Sequence, residues 1–569
     1  MEWNVLDAGA VGDGETDNTA VFQKLLDDAG KAGGGTVHVP AGRYRIEGTL
    51  SIPAAVTLKG VFNAPPTTRH EGSPDLHGTV LLAYAGRGSQ EGEPFIRMAG
   101  HMACLSGVIV TYPEWNQETV PPVPYPPCVL AQDVEDVGIY DCCLINPYEG
   151  IRLIGAHRHL IRNVFGYPSW RGIYVDECYD IGKIENCHLW PFGVLYQPEN
   201  PYCKWVNTNA VAFEFARTDW HYVLNTFCFG YGVGYKFSES PHGACNGNFL
   251  GIGADCCRRA ILVEQAQDPG LLITNGELVG RWESFDSVCL EIAESARGKV
   301  SLNNCSFWGP IDRCVWLRSP RCQFTANACN FVHWDNAKRG APTIQIDRGA
   351  AIVQGNTFGE GDLHVLVGSE ARSAILMGNQ AASGFRVENH AGKRTQEIGN
   401  EADPVPWTEE TRSHYEIKLG SPGDNRYLAG WYGPEGPVGG ANEGRTRRWS
   451  KGLSDLILPV NADERYEVTL NLQIPETATG PEAGLYVDEQ RVASFMASST
   501  AESTLTTTLP AVKGEKLTLT IRCNEWVPSQ RIPGSGDDRR LGVQVYSVRM
   551  RAKGSSAECF LPQEIGADR

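Results

Sequence analysis

Cys-Leu-Ile-Asn-Pro-Tyr-Glu-Gly-Ile-Arg-Leu at 143–153 and Asn-Val-Phe-Gly-Tyr-Pro-Ser-Trp-Arg-Gly-Ile-Tyr-Val at 163–175 lie under one another as copies of one unit. Asn-Cys-His-Leu-Trp-Pro-Phe-Gly-Val at 186–194 and Asn-Thr-Phe-Cys-Phe-Gly-Tyr-Gly-Val-Gly-Tyr-Lys-Phe at 225–237 continue the series. Asn246–Phe249, Asn275–Leu278, Asn304–Phe307 and Gly355–Phe358 extend it. Each unit is an Asn or Asp, a bulky apolar residue two or three places on, a variable turn, then a Gly-Ile-x-Val-like strand. The period is roughly 22–30 residues, and self-similarity at a fixed period marks a solenoid. The strands are short and alternating, with no helix-length amphipathic run among them. One such unit cannot bury its own apolar face and must stack on the next, which predicts a parallel β-helix with one repeat per rung.

Working outward, the chain of 569 residues is too long for one ordinary core, a limit that a solenoid escapes by growing along one axis. Its 63 glycines suit many short strands and turns. A net charge of −17 without a basic block argues against nucleic acid and anionic membrane surfaces. No run of about 18 apolar residues predicts a membrane span. The 18 cysteines include no Cys-x-x-Cys. Cys143, Cys187, Cys228 and Cys305 fall at or next to the inward repeat position, where a free thiol behaves as a small buried hydrophobe. Met-Glu-Trp-Asn-Val at the start runs directly into a domain motif. The expectation is a cytoplasmic protein with reduced thiols, with a secreted chain trimmed of its leader as the alternative.

Residues 4–60 read Asn-Val-Leu-Asp-Ala-Gly-Ala-Val-Gly-Asp-Gly-Glu-Thr-Asp-Asn-Thr at the start, then Gly-Gly-Gly-Thr-Val-His-Val-Pro-Ala-Gly-Arg-Tyr-Arg-Ile. After Asp17 a short helix is predicted, capped by Asp17 or Asn18, with Val21, Phe22, Leu25, Leu26 and Ala29 on one face. Such a helix covers the open end of a β-helix and its unpaired strand edges. Asp-Gly-Glu-Thr-Asp lacks the closing Glu of a calcium loop, and Gly-Ala-Val-Gly-Asp-Gly lacks the Lys-Ser/Thr of a phosphate loop; both read as turns.

This segment resembles the N-terminal signature of the pectate-lyase-like β-helix superfamily, which includes polygalacturonases, other glycoside hydrolases, inulin fructotransferases, lyases, epimerases and phage tailspikes. The resemblance implies an all-β fold, a right-handed parallel β-helix with an N-terminal capping helix. It does not imply the reaction, because one scaffold hosts many chemistries. The expected division is a β-helix over 1–402 (cap 1–60), a linker over 403–412 and an antiparallel β-sandwich over 413–569. The last rests on long alternating strands such as Tyr-Glu-Val-Thr-Leu-Asn-Leu-Gln-Ile. Pro-rich excursions at 65–70 and 121–128 and an aromatic-rich one at 191–209 read as loops emerging from the scaffold, the last as a lid.

In this superfamily the substrate lies along an exterior groove. The polygalacturonase motifs are missing: Asn-Thr-Asn stands at 207–209 for Asn-Thr-Asp, the rungs hold no Asp-Asp pair, and Pro-His-Gly-Ala at 241–244 is not Gly-His-Gly. The calcium-binding Asp cluster of pectate lyases is not evident either. Carried over by position alone, the turn before the Gly-Ile-x-Val strand holds Glu149, Arg171, Asp255, Glu283 with Asp286, Asp312 and Asp335. Aromatic rings beside carboxylates suit a sugar, and paired carboxylates supply the acid and the base or nucleophile of glycosidic cleavage. The expected catalytic set is Asp255, Glu283, Asp286, Asp176, Arg171 and His188. The expected substrate-binding set is Trp170, Tyr174, Trp190, Trp205, His221, Tyr231, Glu277 and Trp282, with Trp308 and Trp334 nearby. Asn163, Asn186, Asn225 and Asn304 read as internal ladder or turn residues. No cofactor and no metal are expected. The reading is a glycoside hydrolase acting on an oligosaccharide or polysaccharide, with no nucleic-acid or membrane partner. A fructotransferase and a polysaccharide lyase (Arg171, His188, Tyr174) are the enzymatic alternatives, and a non-catalytic glycan-binding β-helix of tailspike type is the alternative of another class. Homo-oligomers, trimers among them, occur in relatives of the fold, and self-association is left open.

Overall fold

Twelve positions with left-handed backbone recur at the same corner of successive turns: Gly107, Asp141, Asn163, Asn186, Asn225, Gly251, Asn275, Asn304, Ala328, Gly355, Gly378 and Gly399, all with φ between 50° and 70°. Left-handed backbone places Cβ against the following carbonyl, which Gly avoids and the short polar Asn and Asp tolerate best. This conformation is the physical origin of the repeating Asn and Gly. The amides lie at the outside of the corner and link rung to rung, Asn163 Nδ2 donating to Asp141 Oδ1 at 2.8 Å and Asn304 Nδ2 to Asn275 Oδ1 at 2.8 Å. Asn163, Asn186, Asn225 and Asn304 are therefore turn residues, and not an internal ladder.

The structure is a computed structural model that describes residues 1–63, 77–191, 197, 199–281, 286–359, 363–381, 384–402, 405–436, 445–498 and 502–564. Each rung runs along three faces. Gly138–Leu144, for example, bends at Asp141, so that 138–140 lie on the first face and 142–144 on the second. Glu149–Ile154 forms the third face. Among the described residues all neighbouring strands of the coil pair in parallel, in one 38-stranded ladder. Parallel pairing with both strand edges satisfied is what stacking identical rungs requires.

The residue after each left-handed corner points into the coil. Cys142, Val164, Cys187, Ile252, Cys305 and Cys329 fill that column and are buried in one continuous core running from Val5 to Ala391. Farther along, the column becomes a true internal amide ladder. Asn356 Nδ2 donates to Asn379 Oδ1 at 2.9 Å, and Asn379 Nδ2 donates to Asn400 Oδ1 at 3.0 Å and to Val353 O at 2.9 Å. These buried amides satisfy one another and the backbone, as buried polar groups must. Aromatic rings stack similarly: Phe307, Phe331 and Phe358 lie 4.7 and 4.9 Å apart. None of the 18 cysteines is disulfide-bonded, and only Cys104, Cys523 and Cys559 reach solvent appreciably.

Helix α1 (Thr19–Lys31) closes the N-terminal end with Phe22, Leu25, Leu26 and Ala29 buried. Its N-cap, Asn18, is turned instead to Val11 and Thr16, while Asp17 Oδ1 accepts from the Thr19 N–H at 3.0 Å. The excursion near 200 carries helix α2 (Pro201–Asn209), with Pro201 at its first position and Asn200 Oδ1 accepting from the Tyr202 N–H at 2.9 Å. Tyr202, Cys203 and Val206 are wholly buried, so this part is a docked strut and not an open lid.

Beyond the coil, nine antiparallel strands among the described residues form two layers that share the long strand Arg448–Pro459. A second core from Tyr415 to Ala552 lies between them. Among the described residues no helix is long and apolar enough to cross a membrane.

Candidate active site

Two exterior strips carry candidate functional side chains. On the second face, Phe165, His188, Phe227, Gly253, Glu277 and Ser306 stand in register on successive rungs. Phe229 and Asp255 are paired two residues further along. Alternation along the strands puts Trp190 and Trp308 on the same surface. Trp190 packs 5.0 Å from Phe229 and 5.4 Å from His188, and His188 lies edge-on to Phe227 at 4.7 Å. Glycine at 253 lets the Phe227 ring lie against the backbone of the next rung; a Cβ there would meet that ring at 2.6 Å.

Asp255 is half-buried, and its Oδ1 is enclosed without a hydrogen-bond partner among the described residues. Burial pushes its carboxyl above the ordinary carboxylate value, the Cys256 amide opposes this, and the Glu277 charge adds to the rise. Glu277, one rung on, is exposed and accepts from Trp308 Nε1 at 3.1 Å. The strip thus pairs a carboxyl held toward its neutral form with an exposed carboxylate, beside aromatic rings. His188 is half-buried, with Nε2 enclosed and burial lowering its pKa to about 4, so it stands neutral in the strip.

The third face is a ladder of charges. Arg152, Tyr174, Glu214, Lys236, Leu262, Glu291 and Trp316 stand in register. Glu149 is buried and bound by Arg152 and by Arg171, the latter at 2.7 Å. Arg171 also reaches Glu214 at 3.4 Å and lies over the rings of Trp170 (4.6 Å) and Tyr174 (4.0 Å). Lys236 bridges Glu214 and Glu264. Tyr174 donates its hydroxyl to Asp176 Oδ2 at 3.2 Å, and burial raises its pKa strongly. Asp176 Oδ1 accepts from Glu177 N, Arg217 N and Ser240 Oγ at 2.8–3.0 Å. Its carboxylate organises the turn beyond the strand.

Several expected site residues lie elsewhere. Tyr231 is wholly inside the coil, donating to Pro168 O at 3.0 Å, and His221 is equally buried; neither touches a substrate groove. Trp205 is partly buried against the core on α2. Trp170 stacks on Tyr148 at 5.4 Å. Asp286 is exposed and paired with Arg258 at 2.5 Å, and Asp335 binds the Arg339 and Gly340 amides of a surface loop. Glu283 and Trp282 lie outside the described residues. The acids read as one positional series are not one column: Glu149 and Arg171 begin third-face strands, whereas Asp255 belongs to the second face of its rung. A cleft of about 620 Å³ lies between the last rungs and the sandwich, lined by Phe385, Arg386, Arg426 and Lys516, four rungs beyond Glu277.

Residues 3–98 match the model of the family described as rhamnogalacturonase A/epimerase, pectate lyase-like. Over those residues the chain is similar to the pectate-lyase-like family, and its coil is a parallel β-helix, as in that family's fold. The chain is 35% identical over 118 residues to mannuronan C5-epimerase AlgE5 of Azotobacter vinelandii, 19% of this chain and 12% of that protein. It is 58% identical over 48 residues to alginate lyase 7 of the same organism, 8% and 6% of the two chains. It thus spans about an eighth or less of the length of these curated relatives. The N-terminal fragment of bacteriophage phi29 gene product 12 superposes on it with a TM-score of 0.51 at 15% identity, covering 71% of each chain, a likeness of fold.

Proposed function

We propose that the chain is a glycoside hydrolase acting on a polysaccharide or oligosaccharide laid along the second face. The observation that carries this reading is the Asp255–Glu277 pair on adjoining rungs, one carboxyl half-buried and held toward its neutral form and the other exposed, beside Trp190, Phe227, Phe229 and Trp308. Divergent environments of this kind mark an acid and its partner base. Asp255, kept toward its protonated form, donates its proton to the leaving glycosidic oxygen. Glu277 removes a proton from the water that attacks the anomeric carbon, and solvent exchange restores both groups. Adjacent rungs stack at about 4.8 Å, and the two-residue offset along the strand makes the diagonal about 8 Å. That span lies in the range of inverting enzymes, roughly 6.5–9.5 Å, so inversion of the anomeric centre is expected. Aromatic faces give the sugar rings a platform.

A second reading is favoured by the names of the relatives, which point to mannuronan and alginate. In it the third-face group of Arg171, Tyr174 and Asp176 would hold a uronate and remove or exchange a ring proton. One screen against neutral and uronic-acid oligosaccharides separates the two. It reads reducing ends together with the ultraviolet absorbance of an unsaturated uronate. Reducing ends without absorbance, lost on the order of 10²-fold or more in Asp255→Asn and in Glu277→Gln, are the expected result. Absorbance that survives both substitutions and is abolished by Tyr174→Phe overturns the hydrolase reading.

A further inference from the structure

His159, Cys178 and His221 meet inside the coil, all buried, with one nitrogen or sulfur of each lying within 4.8 Å of the others. The register explains how. His159 and His221 precede Leu160 and Tyr222, which pair on either side of Lys183, so Gly182 is the rung between the two histidines. With no side chain on that rung, the two imidazoles lean into one space, centroids 5.1 Å apart. A Cβ on Gly182 would stand 2.5 Å from His159 Nε2 and 2.6 Å from His221 Cε1. Cys178 reaches the same space from the preceding turn, its Sγ 3.9 Å from His159 Nδ1.

Cys178 Sγ lies 3.7 Å from Asp180 O, but three of the four ring nitrogens have no such partner. His159 Nε2 and both nitrogens of His221 are enclosed without a hydrogen-bond partner among the described residues, in a shell that includes Phe215. Leaving such groups unmade is expensive, and a bound ion is one of the few explanations. His159 Nδ1 lies 2.7 Å from Ala156 O. A proton donated there fixes the tautomer that turns the Nε2 lone pair toward the cluster, the orientation a metal-binding imidazole takes from its outer partner.

We propose that His159, Cys178 and His221 form a structural site for a thiophilic d¹⁰ cation, cuprous copper or zinc, locked inside the β-helix. Two imidazoles and one thiolate are the donors such ions select. Ligation needs contraction of up to roughly an ångström toward the usual 2.0–2.3 Å bonds. The Cys178 thiol surrenders its proton to solvent as its sulfur binds the ion. A monovalent ion with one thiolate leaves no net charge in this apolar interior and a divalent ion leaves one, which favours the cuprous form. The site is closed to solvent, so loading accompanies folding.

The test is elemental analysis of the purified full chain, followed by unfolding with chelator and refolding with cuprous, zinc or cobaltous ion. The expected result is close to one equivalent of copper or zinc, a higher melting temperature for the metal-refolded chain, and a thiolate-to-cobalt charge-transfer band. Metal, band and thermal shift should vanish in Cys178→Ala, and also in His221→Phe, which keeps a ring of similar size in the core. Circular dichroism shows whether each variant folds. The copper and zinc arms identify the ion. Less than a tenth of an equivalent with no band after refolding overturns the proposal. So does metal retained at full occupancy in both variants, which would be an adventitious ion only.

Discussion

Burial lifts the Asp255 carboxyl above its unfolded value, so its charged form is disfavoured in the native state. The sign for stability follows by linkage. Below the unfolded carboxylate value Asp255 is protonated in both states and carries no penalty. As pH rises through the raised folded value, the native group is forced to ionise and stability is lost. Asp255→Asn cannot ionise, so its melting temperature should exceed that of the parent chain at neutral pH and converge with it in acid. Catalysis should move the opposite way, falling in the variant at every pH. A variant that loses stability at neutral pH would show that the carboxylate is held by partners and not desolvated. The same reasoning separates Asp255 from Asp286. Both are acids in the same stretch of sequence, yet Asp286 is exposed against Arg258 and has no comparable environment. Sequence singles out the acids but not their burial, because burial depends on which neighbours the register brings in. Glu277, placed by sequence in the substrate-binding set, became the partner of Asp255 only once Gly253 set the two on adjoining rungs.

The corner is the element the sequence wrote most plainly. Its Asn and Gly residues repeat because one residue per rung must take left-handed backbone, and those residue types take it at least expense. Ala328 is the exception, exposed at φ 51° with a Cβ that the conformation penalises. Ala328→Gly should therefore stabilise the coil by about 1 kcal/mol, even though glycine adds unfolded-state freedom. Asn304→Ala should destabilise it by about 1–2 kcal/mol, through the same conformational penalty and the lost amide link to Asn275. Denaturant titrations of the two variants check both signs, and destabilisation by Ala328→Gly would refute the account. The capping helix was equally legible, since Phe22, Leu25, Leu26 and Ala29 mark one face. Helix α2 was not. Nine residues between Asn200 and Ala210 carry mixed aromatic and polar character, and only docking of Tyr202, Cys203 and Val206 reveals its packed side. His221 was misread for a related reason. Its neighbours Tyr222 and Val223 alternate out and in, and a single histidine gives no sign of which side it takes until the strand is in register with Gly182.

At the scale of the molecule, two separate hydrophobic cores share one chain. The coil core ends at Ala391 and the sandwich core begins at Tyr415, without shared members. Between them the loop after Asp335 carries the docking. Lys338 O accepts from the Gly433 N–H at 3.2 Å, Lys338 Nζ donates to Pro434 O at 3.0 Å, and Arg339 pairs with Asp538 at 2.8 Å. The Arg339–Asp538 pair is largely exposed and is worth at most about 1 kcal/mol. The sandwich also holds its own buried ion pair, Arg448 to Asp424 at 2.6 Å, which ties the turn at Asp424 to the strand at Arg448. Each body therefore has what it needs to fold alone. A fragment from 405 to 569 should be soluble and unfold cooperatively, and the full chain should melt in two transitions. Asp538→Ala should leave both midpoints within about 2 °C of the parent, as removal of a weak surface pair would. A single transition in the full chain, with an unfolded fragment, would mean that the loop at Lys338–Gly340 couples the two cores far more strongly than its exposed contacts account for.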